Sequence, residues 1–470
     1  MSSSGRGPVH VLILAAGRGK RMRSGTVKML HRIGGAPMVW HVARAASSLR
    51  PALMAAVVGR QAAEVSAALQ DDTLGTILFI EQAKQLGTAH AVMQAEKPFR
   101  SWGARRGTLL ILNGDVPLIR TSTLRALLAR HRRTGAAGTI ATTLVEDPAG
   151  YGRVVRDGKG EFAEIVEHRD ATPRIRKIRE VNAGLYCVEI EVLFAALRKT
   201  GRSNAQGEYY LPDLFPILRT RGHRIEVYRH VESEEVLGVN DRAELSRAGK
   251  ILYRRRGEDL MGSGVTILDP DSAWIDPWVR VGRDTVIHPM AHLEGRTSIG
   301  TGCTIGAQTR IVDSTLGRGV VVRDVCVISE STIRDGVTIG PFAHLRPGTI
   351  LEEGSRVGNF VEVKKSRLGR GSKAPHLTYL GDAEIGERCN IGAGTITCNY
   401  DGVRKNVTIL EDDVFVGSDT QLVAPVRVRR GAYVGAGSTI TREVPEDSLA
   451  MTRSPQKTIR GWALRRRKRK

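Results

Sequence analysis

The chain has 470 residues, 41% hydrophobic and 26% charged, enough to bury the cores of two or three domains. No apolar run approaches the ~18 residues a membrane span needs, and Met1 to Pro8 lack the apolar core of a signal peptide. The five cysteines show no CxxC spacing, which excludes a disulfide framework and a zinc site and fits a reducing cytoplasm, while the net charge of +22 leaves nucleic acid, acidic membrane and anionic small substrates open.

Val9–Ala16 is a continuous apolar strand of the kind buried in a parallel sheet. A turn, Gly17-Arg18-Gly19-Lys20-Arg21-Met22, follows directly, and such a turn lets backbone N–H groups approach phosphate. It lacks the GKS/GKT ending of a Walker loop, and Met22 stands where a dinucleotide fingerprint carries its third glycine. Arg21 and Lys28 favour a polyphosphate ligand over a nicotinamide dinucleotide. Pro37 to Leu49 reads as a helix, Ala52–Val58 as a strand, Gln61–Leu69 as a helix and Thr76–Ile80 as a strand. Gln85-Leu86-Gly87-Thr88-Ala89 opens a further helix, and Thr108–Leu112 is a strand ending in Asn113-Gly114-Asp115. An Asp at the carboxyl end of a central parallel strand suits a metal ligand; the alternative, taken alone, is that Asp115 turns the chain or caps the next helix. This alternation predicts a doubly wound α/β layer.

Asp241 to Leu260 is charged and helix-forming and reads as a helical arm, with a solvated linker as the alternative. From Trp274 to Ile440 aliphatic residues recur every sixth position, from Ile275 through Val281, Ile287, Leu293, Ile299 and Ile305 to Ile311. After shifts of phase the beat continues at Leu316, Ile333, Ile385, Ile409, Phe415 and Val428, often followed by Gly. A period of six is neither helical nor a simple alternation; it predicts a hexapeptide solenoid with one aliphatic side chain inward per unit and Gly at the corners. Ser372–Gly381 and Asn399–Lys405 drop the beat and read as functional loops. The dense basic run Arg465–Lys470 reads as a solvated tail, with nucleic-acid or membrane contact as the alternatives.

The motifs Leu14-Ala15-Ala16-Gly17-x-Gly19-x-Arg21-Met22 with Lys28, Gln85–Thr88 and Gly114–Leu118 look like those of sugar-1-phosphate nucleotidyltransferases. Gly150–Arg153, Ile165–His168, Val181–Gly184, Gln206–Tyr210 and Gly238–Asn240 sharpen the match. Joined to the solenoid, the set resembles the bacterial bifunctional N-acetylglucosamine-1-phosphate uridyltransferase and glucosamine-1-phosphate acetyltransferase family, over Val9 to Arg460. The resemblance implies a Rossmann-like (GT-A-like) uridyltransferase domain at 1–240, a helical linker at 241–261, a left-handed parallel β-helix acetyltransferase domain at 262–460 and a basic tail at 461–470. It implies a cytoplasmic homotrimer that makes UDP-N-acetylglucosamine with Mg²⁺, UTP and acetyl-CoA.

Residue by residue, the resemblance makes Arg21 and Lys28 the phosphate-binding catalytic cations, and Asp115 and Asn240 the Mg²⁺ ligands. Leu14, Ala15, Gly17, Gln82, Gly87 and Thr88 would surround the nucleotide, and Gly152, Glu167, Asn182 and Tyr210 would read the sugar. His376 would be the general base of acetyl transfer, a role that suits a side chain titrating near neutrality. Arg346, Lys364, Tyr379, Asn390 and Lys405 would bind glucosamine-1-phosphate. Asn399, Tyr400, Ser418, Ala436 and Arg453 would serve acetyl-CoA and the orientation of the amine. The chain departs from the family pattern at Met29, Asn113, Ala183 and Pro375, none of which is a proposed ligand. The rival readings are a uridyltransferase whose solenoid is only a scaffold, and a non-catalytic assembly that binds nucleic acid through its tail.

Overall fold

The structure is a computed structural model and describes residues 7–17 and 19–467. The chain divides into two compact units, Met1–Leu252 and Tyr253–Lys470.

The first unit is built on a twisted sheet. Its strands are β1 (Val9–Leu14), β2 (Leu53–Val58), β3 (Leu78–Glu81), β4 (Thr108–Asn113), β5 (Gly138–Leu144), β6 (Arg153–Arg156), β7 (Phe162–Val166), β8 (Glu180–Glu189) and β9 (Ile225–His230). The order along the main path is β9-β5-β8-β4-β1-β2-β3, with β6 pairing β8 and β7. β1 lies parallel between β2 and β4, and its Val11, Leu12 and Ile13 are fully buried, as its unbroken apolar run requires. The predicted alternation holds through β4, with helices Met38–Ser47, Ala62–Leu69 and Thr88–Met93 between the strands. The sheet is not wholly parallel, because β8 runs antiparallel to both β4 and β5. A hairpin of β6 and β7 follows β5, so the chain re-enters the sheet from the opposite end.

The predicted arm is one helix, α1 (Arg242–Gly262). Leu245, Ala248, Ile251 and Leu252 pack with Ile33 and Met38 of the first unit's core.

The second unit is a parallel β-solenoid. Each rung pairs with the one below it some seventeen or eighteen residues on: Ile287 with Ile305, Ile305 with Val322, Val322 with Ile339, and Ile339 with Val357. The inward aliphatic residues form one continuous buried column, with Ile287, Leu293, Ile305, Ile311, Ile328, Ile339, Leu345 and Val363 at 0% exposure. Three short strands make each coil, and together they form three faces. Most glycines that follow an inward aliphatic residue are not left-handed corners. They stand where adjacent coils touch: a Cβ at Gly300 would collide with the carbonyl of Gly317 on the next coil.

Two expectations change. Ser372–Gly381 is not a loop but contains β11 (Lys373–Gly381), paired in parallel along β10 (Arg356–Lys364). The beat persists there through Ala374 and Leu380, both 0% exposed, but the inward side chain at 374 is a single methyl. After the Asn399–Lys405 break the inward positions are Leu410 and Val416, while Ile409 is half-buried and Phe415 is exposed. The beat therefore resumes one residue later than the apolar spacing suggested. Beyond Met451 every described residue is exposed, and Trp462–Arg467 forms a short helix. The end of the predicted basic tail, residues 468–470, lies outside the described residues. Among the described residues no helix is long and apolar enough to cross a membrane.

Candidate active sites

The first site forms where β1 and β4 end side by side. Leu14 pairs with Asn113, and the amide of Gly114 donates to the carbonyl of Leu14 at 3.0 Å. This carries Asp115 beyond the carboxyl edge of the sheet, the usual position for ligand groups in such folds. Val239 N donates to the Asp115 carbonyl at 2.8 Å, which sets Asn240 beside Asp115. The Asn240 side-chain amide donates to Gly238 O at 2.9 Å, so its Oδ1 faces the other way. That oxygen accepts from Arg21 at 2.7 Å and from Lys28 Nζ at 2.9 Å. Lys28 Nζ also lies 2.5 Å from the Asp115 carboxylate. Asp115 and Asn240 thus converge on one cationic point, filled by the Lys28 ammonium. A carboxylate and an amide oxygen are the hard donors a small divalent cation takes, so the donor set fits Mg²⁺. Among the described residues no group of three or more His, Cys, Asp or Glu side chains gathers to hold a metal.

Beside this point lies a cavity of about 560 Å³ lined by Leu14, Gly17, Gln82, Gly87, Thr88 and Asp115, among others. A second, of about 360 Å³, shares Ala16, Gly17 and Gln85 with it and includes Ala15 and Ser24–Val27. Gln82 is buried and donates to Gly87 O at 3.2 Å. Gly87 has φ of 112°, and a Cβ there would collide with the backbone of Tyr209. The Thr88 hydroxyl accepts from Leu211 N at 3.0 Å. Gln85 lines both cavities and donates to Ala16 O, which ties the glycine-rich turn to the opposite wall. It stands inside the Gln85–Thr88 motif, yet only its neighbours were assigned roles.

Among the residues expected to read the sugar, Gly152 packs against Glu167: a Cβ at 152 would lie 3.0 Å from the Glu167 carboxylate. Asn182 N donates to Gly152 O at 2.9 Å, and the Asn182 amide donates to the Tyr186 hydroxyl at 2.7 Å. Burial, reinforced by the charges of Asp170 and Asp213, pushes the Glu167 carboxyl up to about 7. Tyr210 meets Gln206 and Asp170, at 2.9 and 3.4 Å. Gly184 has φ of 71°, and any Cβ there would strike the Asn113 amide. The Val181–Gly184 motif and the end of β4 therefore fit together at this point.

The second site lies on the solenoid. Asn359 on β10 pairs with His376 on β11, and His376 Nδ1 donates to Asn359 Oδ1 at 2.9 Å. That bond puts the neutral ring's proton on Nδ1 and leaves Nε2 as the free base. His376 itself is exposed. Asn359 escaped the sequence reading because nothing local marks it; it acts only through the strand pairing.

Arg346 donates to Glu362 at 2.8 Å, and Glu362 pairs in register with Tyr379. Lys364 meets Asp382 at 3.1 Å. Asn399 donates to Asp382 at 2.5 Å and stands 3.5 Å from the Tyr379 hydroxyl. The Lys364 ammonium beside it holds Lys405 below the usual lysine range. Arg346, Lys364, Tyr379, Asn399 and Lys405 thus gather round two carboxylates, Glu362 and Asp382, to which the sequence reading assigned no role. Asn390 stands apart on another face, between Lys373 and Phe415. Tyr400 is exposed on the hairpin loop that ends at Lys405.

A third alignment runs along the solenoid. Gly394 N donates to Leu377 O, Asp419 N to Ala393 O, and Gly437 N to Ser418 O. His376, Ala393, Ser418 and Ala436 therefore stand in one column, a coil apart, and Arg453 donates to Ala436 O at 3.1 Å. The residues between the histidine and the arginine are small, so the column is a track of accessible backbone. Ala393 completes it and was not foreseen.

Family models match the chain in three places: a MobA-like NTP transferase domain at 11–182, a GMPPB C-terminal domain at 275–367 and a hexapeptide repeat of succinyl-transferase at 407–442. A protein of Pelobacter propionicus is 48% identical over 460 residues, spanning 98% of this chain and 99% of its own. One of Geobacter metallireducens is 48% identical over 480 residues, with 98% and 99% covered. One of Listeria monocytogenes is 45% identical over 454 residues, with 97% and 98% covered. Each bears the name bifunctional protein GlmU.

Proposed function

The chain belongs to the bifunctional GlmU proteins, and from that premise we propose how its two sites divide the work. It is a nucleotidyltransferase and an acetyltransferase in one chain. The product is UDP-N-acetylglucosamine, a precursor of cell-wall and envelope glycans.

In our reading, residues 1–240 carry uridylyl transfer and residues 262–460 carry acetyl transfer. The phosphate oxygen of N-acetylglucosamine-1-phosphate attacks the α-phosphorus of UTP. A new P–O bond forms, the α–β bond breaks, and pyrophosphate leaves. Such a reaction needs alignment and charge neutralisation more than covalent help. Arg21 and Lys28 supply cationic charge beside the phosphates. Asp115 and Asn240 would hold Mg²⁺, which would supply positive charge to offset that of the phosphates. Lys28, seated between those two oxygens, offers its ammonium to the phosphates from the same point. Leu14, Ala15, Gly17, Gln82, Gly87 and Thr88 enclose the nucleotide; Gly152, Glu167, Asn182 and Tyr210 read the sugar.

In the solenoid, the glucosamine-1-phosphate amine attacks the thioester carbonyl of acetyl-CoA. His376 Nε2 accepts the amine proton as the C–N bond forms, and the C–S bond breaks to release the thiolate. The cations Arg346, Lys364 and Lys405 bind the sugar phosphate with Tyr379 and Asn399 beside them, while Asn390 and Tyr400 face the substrates from outside this cluster. The track from His376 through Ser418 and Ala436 to Arg453 lodges the extended acetyl-CoA. The enzyme works in the cytoplasm as a trimer of left-handed solenoids. The exposed apolar column of Phe342, Phe360 and Leu377 supports that assembly.

The observation that carries this reading is the convergence of Asp115 and Asn240 on a single cation in one unit, with an Asn359-oriented His376 in the other. The test is a paired assay of CoA and pyrophosphate release. Asp115→Ala should abolish pyrophosphate release from supplied N-acetylglucosamine-1-phosphate and spare CoA release; His376→Ala should do the reverse. Loss of both activities in either variant would overturn the division of labour.

A further inference from the structure

Gln82 directly follows β3, the strand at the edge of the first sheet, and β3 lies three strands from β4, which leads into Asp115. At one strand spacing per step, about 14 Å of sheet separate the two residues. Both line the same cavity, so a nucleotide whose phosphates meet Asp115, Arg21 and Lys28 presents its base to Gln82. Gln82 is only 3% exposed, and its amide must find partners within the protein. Its Nε2 donates to Gly87 O at 3.2 Å and lies 3.0 Å from His90 Nδ1. Gly87 O also accepts from Ala91 N at 3.1 Å, so His90 supplies the bond that the amide does not share.

Burial and the Arg202 guanidinium hold the His90 imidazole below its ordinary range, so the ring is neutral and accepts at one nitrogen only. Gln94 Nε2 stands 3.2 Å from the other ring nitrogen. Gln94 is half-buried and can turn its amide toward water, whereas Gln82 is pinned by Gly87. The Nδ1 lone pair thus receives the Gln82 amide, and the ring proton sits on Nε2. The ring is itself clamped: it stacks on Tyr209 with 6.4 Å between centroids, and Tyr209 N donates to Leu86 O at 2.8 Å. With both N–H bonds of the Gln82 amide engaged, its Oε1 has no donor among the described residues and is left as an acceptor for the cavity.

We propose that His90 is the positioning residue that makes the nucleotide site selective for uracil. It holds the Gln82 amide with Oε1 toward the base. Uracil presents N3–H to that oxygen. Cytosine presents an N3 lone pair, and two acceptors face to face at a buried site repel. Without the His90 acceptor one N–H loses its partner, the amide is no longer fixed, and its nitrogen can face the base, an arrangement that accepts cytosine. The inference rests on the assignment of Gln82 to the nucleotide and adds to it a residue that acts through Gln82.

The test is pyrophosphate release by the full-length enzyme from N-acetylglucosamine-1-phosphate with UTP or CTP, for wild type, H90F, H90N and Q82A. H90F keeps a flat ring against Tyr209 and removes the acceptor; H90N keeps an acceptor oxygen near the place of Nδ1 and removes the ring. Wild type should prefer UTP. H90F should raise KM for UTP about tenfold, the worth of one hydrogen bond at a buried site, with kcat held within about twofold. Its preference for UTP over CTP, taken as the ratio of kcat/KM values, should fall at least about tenfold. H90N should recover most of both, and Q82A should lose the preference as H90F does. An H90F enzyme with wild-type preference, while Q82A has lost it, overturns the role of His90. So does an H90N enzyme no better than H90F, since the ring's packing and not its acceptor would then be what matters. A Q82A enzyme with wild-type preference, or a wild type that uses CTP as readily as UTP, overturns the assignment of Gln82 to the base, and the inference with it.

Discussion

Glu167 and Asn359 show how one side chain's surroundings set its chemistry. Glu167 keeps its proton up to about pH 7, whereas in the unfolded chain it releases the proton in the ordinary carboxylate range. Between those two values the folded state binds more protons than the unfolded state. Stability is therefore full below the ordinary range and falls as the pH rises through 7. Asp213, pushed up to about 6 by burial, acts in the same direction. Thermal unfolding should show a loss of about 1–2 kcal/mol between pH 5 and 8 that Glu167→Gln largely removes. Asn359 acts through another residue: it holds the His376 proton on Nδ1. Asn359→Ala should lower kcat for acetyl transfer by about tenfold, a fraction of what a general base supplies. Its pH–rate profile should shift as the imidazole loses its fixed tautomer, and uridylyl transfer should stay unchanged. A variant with an unaltered profile would make Asn359 only a structural neighbour.

At the scale of elements, β10 and β11 can carry the proposed acetyl site because they bend together. Each turns a corner within a nine-residue strand, at Phe360 and Leu377, with φ of 55° and 37°. Their close approach depends on Gly358, where a Cβ would collide with the carbonyl of Pro375. Gly358→Ala should force the strands apart, costing about 1–3 kcal/mol in melting experiments and most of the acetyl transfer, with uridylyl transfer spared. Pro375 is tolerated in a strand because its missing N–H lies where β11 departs from regular pairing. Much of this architecture was legible in the sequence, since a strict beat of six leaves few other folds. It failed where the inward residue was too small to be seen, at Ala374, and where an exposed aromatic imitated an inward one, at Phe415 beside buried Val416. The motifs led to residues that project from turns, such as Asp115 and Lys28. They were silent on Asn359 and Ala393 and gave Gln85 no role, because the places of these residues follow from strand register and loop contacts that no single stretch of sequence records. The antiparallel course of β8 was equally hidden, because strand direction leaves no mark on composition.

At the scale of the whole molecule, three of the exposed apolar residues gather in one place. Phe342 and Phe360 stack at 5.3 Å between centroids on one edge of the solenoid, with Leu377 on the next coil. If copies of the chain bury that edge, Phe360→Asp should dissociate the assembly in sedimentation and abolish acetyl transfer with it. Uridylyl transfer, assigned in the proposed division of labour to groups of the first unit, should survive. The stacked coils have a further consequence. Because each coil rests on the last at a spacing of about 4.8 Å, the solenoid measures length in fixed steps, as a ruler does. Six such steps separate the rung at Thr266 from the rung at Lys373, so His376 is held about 29 Å along the axis. The register of Val286 on Thr304 and Ile287 on Ile305 means that Ile287–Thr304 is one whole graduation. Reach along the axis therefore changes only by whole coils; extra residues of another length must loop out, as those of the Asn399–Lys405 break do, where Ile391 still pairs with Val416 on the next coil.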